Sequence, residues 1–555
     1  MRALYCSCLL ALVAVSAAAQ PVVTGVVNAA SNTLPGIPAN PLAQGSIAVA
    51  YGRNMGPASL VTASTLPWPT NLSGTSAQIV ASGQTIPLPI YYTSANQISF
   101  LVPSNTPAGG GTIQVTYNGQ TGPTFAIGTT VSNVGIFTRN SQGFGPAIIT
   151  YADYSLVSNR KDANCGGPNT NCGAANSGQT LILWATGLGP VSGNEASTPQ
   201  PGDMTNLALR LWIGGVSANI VYRGRSGCCV AEDQIVFVVP DNVSGCAVPI
   251  AVQVNNLVSN YASIAIAPSG STCTPISPDV PSADISQLVT KASPTIGIVS
   301  LSRDVASKVD RGEVDFLRFG VSGQVLADAL SNAPLGTCTV QTYFNAQGPP
   351  DIDPTDSLPI SPRDGGTSIT INGSGRIRTL PRASDGTYHA TLGDGTPGNY
   401  LDPGSYTFTG TGGADVGGFT ASMTVPPPFV WTNPPGNTTP VIRANGMTIN
   451  WTGGDPNGFV FIEGDGGTST APNSNIAFGA VHFVCEARAS AGTFFIPPSV
   501  LLTIPPFNNN AGARPTFGFI QVRARAAATT FTATGVDYGF TQVDYLPAGV
   551  GVGFQ

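Results

Sequence analysis

Three carboxylates fall within six residues at Asp351-Ile-Asp353-Pro-Thr-Asp356. Calcium takes oxygen ligands from tight acidic loops, so Asp351, Asp353 and Asp356 are a candidate metal site. The segment lacks the central Gly and distal Glu of an EF-hand loop, and a solvated turn is the competing reading. No other cofactor is indicated. His389 and His482 are the only histidines. A hydrolytic triad needs Ser, His and an acid brought together. Ser384 and Asp385 lie near His389, but no Gly-x-Ser-x-Gly elbow occurs. His482 falls in the apolar run Phe478–Val484, which reads as a strand with a local hydrogen bond to the ring. No residue is assigned a catalytic role. A Glu/Asp pair for glycoside hydrolysis would meet only in space and leaves no local pattern. Among five tryptophans, Trp184 lies mid-strand and reads as core, and Trp451 ends a strand. Trp68, between Pro67 and Pro69, and Trp431, beside a Pro-rich break, are the candidates for exposure and for stacking on a sugar ring.

Eight cysteines follow the N-terminal segment, and an even number in an exported chain indicates disulfides. Cys165–Cys172 is expected as a loop clip. Cys228 and Cys229 are expected to bond separately to Cys246 and Cys273, because a trans peptide holds adjacent sulfurs badly. Cys338 and Cys485 are left to pair across the C-terminal half. A zinc site is disfavoured, since the N-terminal half has no histidine and an oxidising compartment consumes thiols.

These residues need elements to hold them, and the chain names its elements by repetition. Ala95-Asn-Gln-Ile-Ser-Phe-Leu-Val-Pro103 returns as Glu232-Asp-Gln-Ile-Val-Phe-Val-Val-Pro240. Gln44–Pro57 likewise matches Ser177–Pro190, each with a Gly start, an apolar strand, a second Gly and a Gly-Pro turn. Closing strands follow at Thr112–Tyr117 and Val248–Val254. Short strands at this spacing, separated by turn residues, predict β-sandwiches. Ile98, Phe100 and Val102 alternate toward one face, whereas Ile235–Val239 is apolar throughout, as for a strand covered on both faces. The recurring Gln97 and Gln234 are expected to satisfy buried loop backbone rather than bind a ligand.

Val26–Ser31, the two Gly-strand-Gly-Pro segments, Val134–Thr138, Ala185–Pro190 and Asp233-Gln-Ile together resemble an uncharacterised secreted domain family of Solibacter and other Acidobacteria, over residues 21–270. Single copies also resemble the IPT/TIG immunoglobulin-like fold. The resemblance implies a pair of sandwiches and export, and no activity.

The fold expected is all-β: tandem immunoglobulin-like β-sandwiches followed by further β-sandwich-like domains. The parts are a signal peptide at 1–19, repeat 1 at 20–130, repeat 2 at 131–275, a Pro/Ser linker at 276–295, and β domains at 296–425 and 426–555. A short helix is expected near Val325–Leu330. Arg2, the apolar Leu9–Val15 and Ala17-Ala18-Ala19 form the secretory pattern. No later apolar run is long enough to span a membrane. The chain has 555 residues, 9% of them charged, and a net charge of −6, which offers no clustered basic surface for nucleic acid. The expected role is an exported, non-catalytic extracellular or cell-surface interaction protein, secreted or periplasmic, whose partner is a protein or polysaccharide. The alternatives are a secreted hydrolase with its site in residues 296–555, or a structural surface-layer spacer.

Overall fold

The computed structural model describes all residues except 1–18, 161–171, 198–201, 278–279, 345–357, 395–399, 437–439, 469–478, 508–515 and 547–548. The signal sequence, Cys165 and the Asp351, Asp353 and Asp356 cluster therefore lie outside the described residues. The chain is all-β, with three short α-helices among the described residues. None is long and apolar enough to cross a membrane.

Two sandwiches occupy the N-terminal half, as the repeat predicts. In the first, Val22–Asn28, Ile47–Arg53, Gln97–Leu101 and Ile90–Thr93 are successive neighbours in one sheet. The facing sheet is built around Thr75–Ala81 and Gly109–Tyr117. Ala48, Ala50, Ile79, Ile98, Phe100 and Ile113 meet between the layers and are fully buried. Thr75–Ala81 shows the period-2 burial of a sheet with one core face, whereas Val49, Ser99 and Leu101 on the opposite sheet are buried as well as its core-facing residues. The second sandwich repeats the plan, with Thr180–Thr186 beside Asp233–Val238 and Leu209–Ile213 beside Gly245–Val254. Burial alternates along Asp233–Val238, with Val236 and Val238 only half-buried, so this strand is not covered on both faces.

The register makes the duplication concrete. Tyr51 pairs with Gln97 in one copy and Trp184 with Gln234 in the other. The residue that turns the chain after each strand is left-handed in both, Asn54 at φ 56° and Gly187 at φ 102°; Asn and Gly tolerate that region best.

A buried polar joint locks the sandwiches together. Arg225 and Asp233, 2% and 0% exposed, form an ion pair. The Arg225 guanidinium also donates to Gly45 O of the first sandwich and Gly189 O of the second, each at 2.8 Å. Asp233 accepts from Leu188 N at 2.8 Å. Gly45 has φ +69°, and a β-carbon there would overlap the guanidinium, so this position needs Gly on both counts. Glu195 adds a second clamp by accepting from the backbone N–H and hydroxyl of Ser104 across the same joint.

The expected linker is not extended. Ser282–Leu288 is helical, and Val280, Ile285 and Leu288 are buried against Ile296, Phe319 and Leu326. Pro and Ser initiate this segment, but its Val, Ile and Leu decide its fate. The helix expected near Val325–Leu330 is present at Gly323–Ala329, where Ser322 caps it by accepting from Val325 N.

Beyond residue 295 the described strands form an eleven-stranded sheet with a four-stranded and a three-stranded sheet beside it. The large sheet takes strands from both sides of Pro426–Pro428. Thr295–Asp304 runs parallel to Tyr538–Leu546, and Cys338–Phe344 pairs with Gly479–Arg488. The division expected at 426 thus does not separate two sheets. A large core, including Phe316, Phe408, Trp451, Phe483 and Phe554, runs through the half and also receives Ile37 and Tyr261 from the sandwiches.

Candidate functional site

The first sandwich turns aromatic rings outward. Because Ala48, Ala50, Ile98 and Phe100 face its core, their neighbours Tyr51, Gln97 and Ser99 face away. Tyr92 pairs with Ser99 on the same outer side. The register shifts between Ile90 and Tyr92, which frees Tyr91 from the alternation. Trp68 then stacks on Tyr91, with ring centroids 4.8 Å apart and planes 23° apart, and Tyr91 lies 5.7 Å from Tyr92. Tyr51 is close enough to push up the Tyr92 phenol, after the larger effect of burial. Tyr51 and Tyr91 are 42% and 39% exposed, while Trp68 and Tyr92 are half-buried. Leu60 and Leu66, both mostly exposed, flank the edge strand Val61–Thr62.

The strip is held from beneath. Trp68 N donates to Ala196 O of the second sandwich at 2.9 Å, and Ile90 N donates to Pro69 O at 2.8 Å. The indole packs on Leu101, Val230 and Ala231 at the joint. One face of Trp68 is thereby fixed, which lowers the entropy lost when a ligand docks on the rings. Flat, half-exposed Trp and Tyr rings with hydroxyls at the rim suit a ligand with apolar faces and polar edges.

Of the residues singled out by sequence, Trp68 lies in this strip and Trp431 does not. Trp431 is 8% exposed, and its indole N–H donates to Asn433 at 3.2 Å. The adjoining prolines fold it inward against Trp451, its cross-strand partner, so its expected exposure is corrected. Trp184 is buried as expected and donates to Thr150, and Trp451, at its strand end, is also buried and donates to Ala489 O. Tyr51, Tyr91 and Tyr92 were missed. The adjacent Tyr-Tyr pair beyond a Pro-Trp-Pro loop was the available signal.

Gln97 and Gln234 are half-buried, and neither side chain makes a hydrogen bond among the described residues. The buried polar work in the second copy falls to Asp233, one position earlier.

The cysteine connectivity is corrected. Cys228 bonds to Cys229, and Cys246 bonds to Cys273. Cys228 and Cys229 sit on an exposed turn between two strands of one sheet, whereas Cys246 lies on a strand of the other. Cys338–Cys485 forms as expected, between directly paired strands. Cys172 is also disulfide-bonded. Among the described residues, the only ligand-bearing atoms that converge as a metal site would require are those of Cys228, Cys229 and Glu232. With the two sulfurs bonded to each other, they are not thiolate ligands.

Each histidine has an acid nearby. His389 is exposed, and its Nδ1 lies 3.1 Å from the Thr387 hydroxyl, which donates to Asp385. The hydroxyl in contact is thus Thr387, not Ser384. Across the strand pair stands Glu313, and Asp315 lies two residues further on the same face. Burial pushes the Asp315 carboxyl up to about 7, reinforced by the charges of Glu313 and Asp385 and opposed by His389. His482 is buried with Nδ1 2.9 Å from Asp465, as its strand reading predicts. Tyr343 also donates to Asp465, and burial with that carboxylate pushes its phenol well up. Among the described residues no hydroxyl is hydrogen-bonded to the second ring nitrogen of His482.

His482 opens onto a cleft of ≈450 Å³ between the second sandwich and the outer face of the large sheet. Gln341, Phe461, Glu486, Arg523 and Arg525 share its floor, and Pro249, Tyr261 and Ala262 line the opposite wall.

No family model matches the chain, and no curated protein matches it. Among solved structures, it is similar to the I9–I11 tandem from titin at 8% identity, over 69% of this chain and 93% of that one, with a TM-score of 0.12. It is also similar to SGBP-B of the Bacteroides ovatus mixed-linkage glucan utilization locus at 11% identity, over 86% and 97% of the two chains, with a TM-score of 0.14. Domains 5–6 of the S-layer protein SbsC match at 10% identity, over 44% and 98%, with a TM-score of 0.16. At such scores the likenesses carry no argument about function.

Proposed function

We propose that the chain is an exported, non-catalytic interaction protein of the cell surface or surroundings, and that it binds polysaccharide through the aromatic strip of its first sandwich. The observation that supports this most is the run of Trp68, Tyr91, Tyr92 and Tyr51 on one outer face. Solvent-facing rings in a contiguous row are costly to leave in water and are expected where a partner covers them. A sugar ring has apolar C–H faces that stack on such rings and hydroxyls that reach Gln97 and the phenols. The disulfides fit an oxidising compartment. Nucleic acid would stack as well, but a net charge of −6 gives its phosphates no attraction.

Affinity electrophoresis in gels cast with different soluble polysaccharides tests the reading. At least one polymer should retard the full chain, and Trp68→Ala with Tyr91→Ala should abolish the retardation without changing the melting temperature by more than a few degrees. Failure of every polymer to retard the protein would remove the proposal.

A second reading, a hydrolase with its site beyond residue 295, is favoured by the Asp465–His482 pair and by the raised Asp315 carboxyl beside Glu313. Turnover of aryl glycosides or esters by the full chain, lost in His482→Ala or Asp315→Asn, would put this reading first.

A further inference from the structure

The cleft on the large sheet has a composition unlike the strip. Its floor is the outer face of four neighbouring strands, Cys338–Phe344, Gly479–Arg488, Phe459–Thr468 and Thr516–Arg525, whose inner faces carry the apolar core. Strand alternation therefore sends Gln341, His482, Glu486 and Arg523 outward, in a place where a bare sheet would face water. The second sandwich lies across part of this face, so these groups line a half-open cleft instead of a flat surface.

Their charges are balanced in place. Arg523 pairs with Glu463 and lies over the Phe461 ring, its guanidinium carbon 4.1 Å from the centroid. Arg525 pairs with Asp544 at 2.8 Å. Glu486, 7% exposed, accepts from the Asn332 amide at 3.3 Å, and Asp465 holds His482. Arg523, Arg525, Glu486 and His482 are thus each oriented by a second polar group, as in preorganised sites.

That balance discriminates among ligands. An anion would gain little from guanidiniums already neutralised and would meet the Glu486 carboxylate. A cation would meet two arginines. A purely apolar ligand would strip water from buried polar groups without replacing it, at a cost for each. A polyhydroxylated neutral molecule matches all of these terms, since every hydroxyl both donates and accepts. The wall of Pro249, Tyr261 and Ala262, with Val484, takes its apolar face. The volume lies in the lower part of the range for small-molecule pockets, about 300–1,000 Å³. We propose that this cleft is a second, independent binding site for a neutral saccharide of one or two rings, too small for a polymer to thread.

Calorimetry and saturation-transfer NMR on the full chain, with cellobiose, maltose and chitobiose as neutral probes and digalacturonate as the charged one, test this. At least one neutral disaccharide should bind. Glu486→Gln and Gln341→Ala should each weaken it about tenfold, and Trp68→Ala with Tyr91→Ala should leave it unchanged. Thr339 is exposed at the rim of the cleft, so Thr339→Trp should block the recess without disturbing the core. Binding by none of the neutral probes, or by digalacturonate alone, would overturn the proposal. So would disaccharide binding that survives Thr339→Trp, or that disappears with the strip. The strip reading stands or falls separately, on polymer retardation.

Discussion

Tyr51 and Trp184 occupy the same place in the two sandwiches, each paired across the sheet with the glutamine of its repeat. One is 42% exposed and belongs to a row of surface rings; the other is 8% exposed. The difference lies outside the repeat. In the second copy Ile149–Thr150 pairs beside Thr180–Thr186, Thr150 accepts the indole N–H at 3.0 Å, and Tyr154 tilts over the ring at 6.2 Å. The first copy brings Trp68 and the Tyr91 bulge to the corresponding sheet instead, and leaves the rings uncovered. A duplicated aromatic position thus became a surface for partners in one copy and part of the scaffold in the other, according to what the neighbouring insertion covers.

Exchanging matched positions tests that contrast. The largest effect is expected at Asp233, whose counterpart is the exposed Asn96. Asp233→Ala leaves Arg225 charged and buried without its partner and should cost about 4–5 kcal/mol in chemical denaturation. Asn96→Ala should cost less than about 1 kcal/mol. Next come the aromatics. Trp184→Ala should lose about 3 kcal/mol of stability, while Tyr51→Ala should leave the melt nearly unchanged and weaken polymer binding. Equal destabilisation by the two would erase the distinction drawn here.

A smaller effect is expected one residue before Asp233, where the second copy has Glu232 and the first has Ala95. Burial, then the charge of Asp233, raises the Glu232 carboxyl. The folded state therefore holds its proton to higher pH than the unfolded state, and stability falls as pH rises from the ordinary glutamate range through the raised value. Glu232→Ala should remove that decline and stabilise the protein at neutral pH by no more than about 1 kcal/mol, given the group's partial contact with water. A flat pH–stability difference between the wild type and this variant would contradict it. The smallest effect concerns the rings themselves. Burial raises the Tyr51 and Tyr92 phenols, and for Tyr92 the neighbouring phenols add to it. They should stay neutral past pH 10, and polymer binding should persist to the same point; ultraviolet titration beside gel retardation checks both.

The strands of the sandwiches were legible because short apolar runs such as Ile98–Val102 and Ile235–Val239, bounded by turn residues, form them in place. Trp184 and His482 could be read the same way, from the apolar runs that hold them. Tyr91 could not, because a bulge rather than alternation sets its direction. Trp431 could not, because its prolines mark a turn without saying which way the turn folds. The linker was misread by composition: Ile285 and Leu288 lie at helical spacing, with Val280 just before the helix, among Pro and Ser. The cleft has no sequence signature at all. Its floor joins Cys338–Phe344 to three strands more than a hundred positions later, and its roof comes from the sandwich of another half of the chain.

The strand Tyr538–Leu546 lies between Thr295–Asp304 and Thr516–Arg525, inside the largest sheet. It pairs with the first strand of its half, and Asp537 accepts from Thr295 N across 242 residues. The sheet cannot close until both strands have been made, and closing so long a loop is slow. On the export reading this delay has a use. A chain whose central strand is still missing stays open enough to be threaded through a membrane pore.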